Sequence, residues 1–467
     1  MQINSARQIP QRGVELLATG RAIVNGLDIG TFLAESCPDL GPAGRRNFAS
    51  WMSGLVDGGA ISSNVPSHNL PFQRWYRFKE AFSPMLVVEA INTLGFWPST
   101  CLDCFGGSGT TALTSQFLGI APTTVEVNPF LADLIEAKLS TYDRASLVDD
   151  YAAVIDRVIE TKIDLRSIRY EQWPATMVEP GLNNRWIFPK ETFRKILGLR
   201  QAIDVTASET NRRLMRVLLG SILVDMSNVV ISGKGRRYRG SWQSTQKSPE
   251  DVMRAFQSAF EAALVDITLH GRRQSSDYTL FRGDARTEVS KARSIDIALF
   301  SPPYPNSFDY TDIYNVELWV LGYIKSREDN TQLRTSTLRS HVQIHRDMSW
   351  EGLKSKRLKK TVAALSAKRD ELWNSQLPDM VGAYFADLNQ ILTNMRPHMN
   401  PDGAVLMTVG DSRYSGVLVD VGDILAELAE GAGYVCEAVT PIRAMRTSAQ
   451  QGGERELSED LVRLRPA

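Results

Sequence analysis

Ser301-Pro302-Pro303-Tyr304 places a hydroxyl, two prolines and an aromatic ring directly behind the apolar run Ile295 to Phe300. That run reads as a buried strand, so the tetrapeptide falls just past a strand end, where the prolines bar helical continuation and remove two amide donors. What is left is a stiff turn with outward carbonyls between Ser301 and Tyr304, a small pocket suited to a planar molecule bearing an amino group. Taken alone, the same turn also fits an ordinary strand-terminating loop, because Ser-Pro and Pro-Pro are common turn dipeptides.

A second constellation narrows the chemistry. Residues 99 to 105 form a short apolar strand carrying Asp103, Phe105 opens the turn Gly106-Gly107-Ser108-Gly109-Thr110, and an apolar helical segment follows through Leu113, Phe117 and Leu118. Glycines let backbone amides approach a ligand at the mouth of a parallel sheet, where α/β folds bind nucleotides. About twenty residues beyond Asp103, a second strand ends in Val125-Glu126-Val127-Asn128-Pro129, which puts an acid where a ribose diol needs an acceptor. The pair points to an adenosine-containing cofactor.

Asp103-x-Phe105-x-Gly107-Ser108-Gly109-Thr110 together with Ser301 to Tyr304 resembles the amino-methyltransferases that act on DNA. The resemblance implies S-adenosyl-L-methionine as cofactor and transfer of its methyl group to an exocyclic nitrogen of a base flipped out of double-stranded DNA. Serine at the first position leans toward cytosine N4, with adenine N6 the alternative. Trp75 to Pro84, containing Tyr76 and Phe82, resembles the segment that packs over the methionine end of the cofactor, and also reads as an aromatic-rich helix start. Gly283-Asp284-Ala285-Arg286 resembles the turn at the cofactor adenine, with Asp284 as acceptor. An RNA methyltransferase, a protein glutamine methyltransferase and a catalytically lapsed DNA-binding component of a defence system stay as competing readings. Whether a restriction or defence-system partner exists is left open.

These groups need a sheet to hold them. The expected fold class is α/β: a doubly wound, mostly parallel, seven-stranded Rossmann-like sheet, with strands also at residues 278–282, 404–409 and 434–438 and a returning edge strand at 457–464. Helical spacing through Val154 and Val158, Leu214 and Leu218, and Phe256 and Phe260 marks residues 141–275 as a helical insertion and candidate DNA-recognition region. Residues 69–140 and 276–467 are then the catalytic domain. Residues 1–68 form a small helical N-terminal region with patterns at Leu27 to Leu33 and Phe48 to Leu55.

Net charge is zero across 467 residues, yet residues 325–369 hold 12 Lys and Arg against 4 Asp and Glu, so local distribution favours a polyanionic partner. A tighter cluster, Lys234, Arg236, Arg237, Tyr238 and Arg239, interleaves cations and an aromatic between glycines and reads as a flexible loop for phosphate contact and stacking. A solvated loop is the alternative for both stretches. No apolar run approaches the roughly 18 residues of a membrane span, and no signal pattern opens the chain, so a soluble cytoplasmic protein without membrane contact is expected. Four cysteines are too few for a disulfide framework, and no metal-ligand spacing is present.

Overall fold

The computed structural model describes residues 14–16, 22–24, 27–28, 40–55, 62–63, 67–78, 80–160, 173–232, 235–445 and 457–467. Seven strands make the central sheet: β1 (Thr100–Asp103), β2 (Ala121–Glu126), β3 (Thr279–Arg282), β4 (Ile295–Phe300), β5 (Met399–Gly410), β6 (Tyr434–Met445) and β7 (Leu457–Pro466). Their order is β6-β7-β5-β4-β1-β2-β3. β3, β2, β1, β4 and β5 run parallel, and β7 is antiparallel to both neighbours. The order reverses outward from β1 and β4, so the crevice beyond their carboxyl ends is where such a sheet binds ligands.

Two details of the central sheet differ from the sequence reading. β7 is not an edge strand: it inserts between β5 and β6, which becomes the edge. From Asp460 onward its buried residues alternate, but a period of two cannot say how many neighbours the strand has. The turn residues Asn400 to Gly403 lie within β5, where pairing to β4 jumps from Met399↔Ile295 to Ala404↔Ile297. Five residues advance on one strand against two on the other, an irregularity that composition reads as a turn.

Helices cover both faces. α1 (Pro42–Met52), α2 (Pro84–Asn92), α3 (Thr110–Phe117) and α4 (Pro129–Leu139) surround the cofactor-turn strands. α5 (Arg144–Glu160), α6 (Lys190–Asp204), α7 (Glu209–Leu223) and α8 (Pro249–His270) fill the stretch between β2 and β3. They share one core with α4, through Phe130, Leu214, Leu218, Phe256 and Phe260. α9 (Lys356–Ala367), α10 (Leu377–Met395) and α11 (Val421–Gly431) build the opposite core with Tyr384, Leu388, Val405 and Leu425. In the N-terminal region α1 takes up the Phe48 pattern, while Val14–Leu16, Ala22–Val24 and Leu27–Asp28 pair as a small antiparallel sheet; of the helical spacing at Leu27 to Leu33, residues 27–28 are strand and the rest lies outside the described residues. Among the described residues, no helix is long and apolar enough to cross a membrane.

Candidate active site

The glycine turn is fixed at both ends before any ligand arrives. Asp103, the last residue of β1, accepts from the Phe105 amide at 2.9 Å, and the Gly106 amide donates to the Val125 carbonyl of β2 at 3.0 Å. A Cβ on Gly106 would stand 2.4 Å from Thr124 Cγ2 and 2.6 Å from Ile135 Cδ1, so only glycine lets the turn lie against β2 and α4. Gly109 holds φ at 78°, the left-handed conformation from which α3 starts. Beneath the turn, Lys138 is fully buried and donates to the Ser108 carbonyl at 2.7 Å and to Gln73 Oε1 at 2.9 Å. Burial alone pulls its pKa down to about 7.

Glu126 closes β2 and faces the same turn. One oxygen accepts from the Gly107 amide at 2.7 Å and the other from the Asn128 amide at 2.8 Å. Asn128 caps α4 by accepting from the Phe130 and Leu131 amides, and Pro129 occupies the first helical position. Burial raises the Glu126 carboxyl to about 7 and Asp103 to about 6. Both line one cavity of about 320 Å³ with Glu80, and the charged form of each is held down by desolvation. Such a wall favours a cationic ligand with hydroxyls to donate, and each Glu126 oxygen keeps a lone pair for one. S-adenosylmethionine has that chemistry, so the residues fit it.

Ser301, Pro302, Pro303 and Tyr304 line the same cavity. β4 delivers them, pairing Phe300 with Met407 of β5. The chain beyond is laced to residues 340–343: the Ser307 amide donates to the Ser340 carbonyl at 3.0 Å and Gln343 Nε2 to the Ser307 carbonyl at 2.9 Å. Phe78 stacks on Tyr314 with ring centroids 5.5 Å apart, and Tyr314 Oη donates to Glu80 at 3.0 Å. The aromatic segment thus docks on the continuation of the Ser-Pro-Pro-Tyr loop.

Most of the residues singled out in the sequence meet here: Phe82, Asp103, Phe105 to Ser108, Thr110, Glu126, Asn128, Asp284 and Ser301 to Tyr304 all line the cavity. Gly109 and Pro129 do not line it: Gly109 precedes α3 and Pro129 opens α4. Tyr76 does not reach it; its hydroxyl donates to the buried Glu317 at 2.7 Å and its ring packs edge-on against Phe130. An aromatic with one buried polar partner reads identically in sequence whether it faces a ligand or a second layer. Asp284 lines the cavity but already caps the Arg286 amide and grips the Arg286 guanidinium at 2.6 Å, so its acceptor capacity is shared. The sequence reading missed Glu80, Tyr310, His341, Arg443 and Glu459, all of which line the cavity. Glu80 sits inside the Trp75 to Pro84 segment and Tyr310 six residues beyond the Ser-Pro-Pro-Tyr loop, whereas Arg443 and Glu459 come from the C-terminal strands and carry no local signal.

The basic cluster is a β-hairpin, not a flexible loop: Val229–Ser232 pairs with Gly235–Tyr238. Alternating side chains in a short antiparallel pair give each cation a fixed direction. Arg239 donates to the Ser227 and Val224 carbonyls, Arg236 approaches Asp312 at 3.4 Å, and Arg237 is exposed. Tyr238 packs on Trp242 with ring centroids 5.2 Å apart. Lys234 lies outside the described residues. The Arg236 contact sets the hairpin beside the Tyr310–Ile313 turn that follows the Ser-Pro-Pro-Tyr loop.

No protein-family model matches the chain. The Type II methyltransferase M.AvaI of Nostoc sp. is 24% identical over 439 residues, covering 84% of this chain and 85% of that protein. The Type II methyltransferase M.BsoBI of Geobacillus stearothermophilus is 23% identical over 447 residues, with the same coverage. A solved glycopeptide N-methyltransferase, MtfA, in complex with S-adenosylmethionine, aligns over 82% of this chain and 94% of its own with a TM-score of 0.27 and 9% identity. With a glycine turn, an acid at the second strand and a Ser-Pro-Pro-Tyr loop on one cavity, and similarity to Type II methyltransferases over most of its length, the chain is a methyltransferase.

Proposed function

We propose that the chain methylates an exocyclic amino nitrogen of a base in double-stranded DNA, with cytosine N4 the favoured target, in the cytoplasm and in a restriction-modification setting like that suggested by its Type II relatives. The observation that carries the reading is that the glycine turn and the Ser-Pro-Pro-Tyr loop open into a single cavity, so a methyl donor and a planar acceptor can meet without a chemical intermediate on the protein. S-adenosylmethionine supplies an electrophilic methyl group on a sulfonium. The protein's part is positioning: Ser301 Oγ and the Pro302 carbonyl accept the two amine hydrogens, which turns the nitrogen lone pair toward the methyl carbon. The proton then leaves from a cationic, acidic nitrogen, so no strong base is required. Tyr304 stacks on the base, which must first leave the duplex at a cost of a few kcal/mol.

Expression in a methylation-free host, followed by mass spectrometry of DNA and RNA nucleosides, tests this. N4-methylcytosine in DNA supports the reading in full, N6-methyladenine moves the target base, and modification of RNA alone overturns the substrate class.

Glu126 makes cofactor binding pH-dependent. A ribose diol donates to the ionised carboxylate, whose pKa in the free protein is about 7, so the dissociation constant for S-adenosylmethionine should rise by up to about tenfold per unit as pH falls below 7. Stability runs the other way. The folded pKa is raised, so Glu126's contribution to stability is full below the ordinary carboxylate range and is lost as pH rises through about 7. Calorimetric titration between about pH 5.5 and 8.5 reads the binding effect. A flat dissociation constant removes Glu126 from the ribose.

Arg237 is the hairpin cation we assign to duplex phosphates, because Arg236 and Arg239 are engaged within the protein. Arg237→Ala should weaken non-specific duplex binding and lower the salt slope by about one unit. An unaltered slope in a filter-binding series would return the hairpin to solvent.

A further inference from the structure

Tyr304 is held at its hydroxyl and along its ring by residues of the C-terminal strands. Its hydroxyl donates to Glu459 Oε1 at 2.7 Å. Glu459 is 1% exposed and is gripped by Arg443, with Nη2 to Oε1 at 2.9 Å and Nε to Oε2 at 2.8 Å. Arg443 and Glu459 are register partners across β6 and β7, and Glu459 is in turn the register partner of Gly410 on β5. At Gly410 a Cβ would stand 2.4 Å from Tyr304 Cε2 and 2.6 Å from Cδ2, so the ring lies over a bare Cα. Burial, with Glu459 beside it, pushes the Tyr304 hydroxyl well above the usual phenol range, which keeps it a protonated donor throughout the working pH.

We propose that Arg443 and Glu459 are positioning residues that fix the plane of the Tyr304 ring for the target base, acting through the Tyr304 hydroxyl and over Gly410. The inference rests on the base-methylating reading above. A phenyl ring on a turn can rotate about two side-chain torsions, and a flipped base stacks only on an orientation that leaves one face open to it. The carboxylate removes that freedom before DNA binds, and its contacts with Arg443 keep it from turning away. Effective molarity then comes from order already present in the free protein. Stacking alone needs no hydroxyl, which is why a buried ion pair spent on one is informative.

The test measures transfer of labelled methyl groups from S-adenosylmethionine to unmethylated phage DNA by wild type, Tyr304→Phe, Glu459→Gln and the double variant. Tyr304→Phe and Glu459→Gln should each lower kcat by about tenfold, with KM for S-adenosylmethionine unchanged within about twofold, and the double variant should be no worse than either single one. Losses that multiply in the double variant, or a Glu459→Gln enzyme of full activity, would overturn the positioning role. Should Glu459→Gln fail to fold, as judged by thermal melting and cofactor binding, Arg443→Gln enters the same cycle with Tyr304→Phe and is read in the same way. Gly410→Ala approaches from the other side: it should displace the ring and lower kcat, and unchanged kcat would likewise overturn the proposal. A wild-type protein that labels no DNA refutes the substrate reading, whereas labelled DNA with multiplicative losses refutes the positioning role alone.

Discussion

Replacing Ser301 by alanine is expected to lower kcat for methyl transfer about a hundredfold while S-adenosylmethionine affinity stays within about twofold. An exocyclic amine is a poor nucleophile because its lone pair is delocalised into the ring, and it becomes competent only when its hydrogens are held out of the ring plane. Two acceptors are needed for that, and the Pro302 carbonyl alone leaves the nitrogen free to stay flat. The turn itself should survive the substitution: β4 is anchored to β5 through Phe300↔Met407, Tyr414 Oη donates to the Pro305 carbonyl at 2.7 Å, and the two prolines fix the backbone between. Cofactor affinity should hold because Asp103, Glu126 and the glycine turn are untouched. Single-turnover transfer with calorimetric cofactor binding separates the two quantities. Wild-type turnover by the alanine variant would refute the amine-holding role, and joint loss of affinity and turnover would recast Ser301 as part of the cofactor wall.

The parts of the site that could be read in sequence are those that backbone physics makes local. Gly106 must be glycine because Thr124 and Ile135 crowd its Cα, Gly107 and Gly109 because their φ of 51° and 78° is left-handed, and Glu126 follows from one strand beside them, so spacing alone brought the cofactor half together. Ser301 to Tyr304 were legible for the same reason, as the end of one apolar strand. Arg443 and Glu459 were not, because they reach Tyr304 only after β7 has inserted between β5 and β6, and the placement of that strand is decided by pairing across the sheet. Tyr76 shows the converse limit. Its motif was found, but which way a buried aromatic faces depends on Glu317, more than two hundred residues away along the chain.

The basic cluster carries a related lesson about charge. Counting cations from Lys234 to Arg239 predicted a phosphate-binding loop, yet Arg239 is spent on main-chain carbonyls and Arg236 leans on Asp312. The same holds for the stretch from 325 to 369, where Arg334, Arg339 and Arg346 bind Asp309, Asp387 and a set of carbonyls near the cavity. Arginine is also the residue that best satisfies buried carboxylates and carbonyls with one planar group, so a local charge excess overstates the cations left for phosphate. Arg334, Arg339 and Arg346 order the loops around the cavity first.

Asp387 is where that ordering can be broken, and Asp387→Ala is expected to destabilise the fold by about 3–5 kcal/mol. The carboxylate is fully buried on α10 and accepts from the Arg339 amide at 2.8 Å, from Arg339 Nε at 3.0 Å and Nη2 at 2.7 Å, and from Arg286 Nη1 at 3.2 Å. Removing it leaves two guanidinium groups and an amide without their shared acceptor in a low-dielectric setting, the costly way to dismantle a buried ion pair. The loss also has a direction in the structure. Arg286 belongs to the Asp284 turn on one wall of the cavity, and Arg339 to the segment that lines another, with Leu338, Ser340 and His341 facing inward. Thermal melting should therefore shift downward by several degrees, and S-adenosylmethionine binding at temperatures where the variant is folded should weaken, because two walls lose their common tie. An Asp387→Ala protein that melts with wild type would show that the arginines find replacement partners. One that melts low but binds cofactor normally would confine Asp387 to the core, leaving the cavity walls to be held by the laced residues around Ser307 and Ser340.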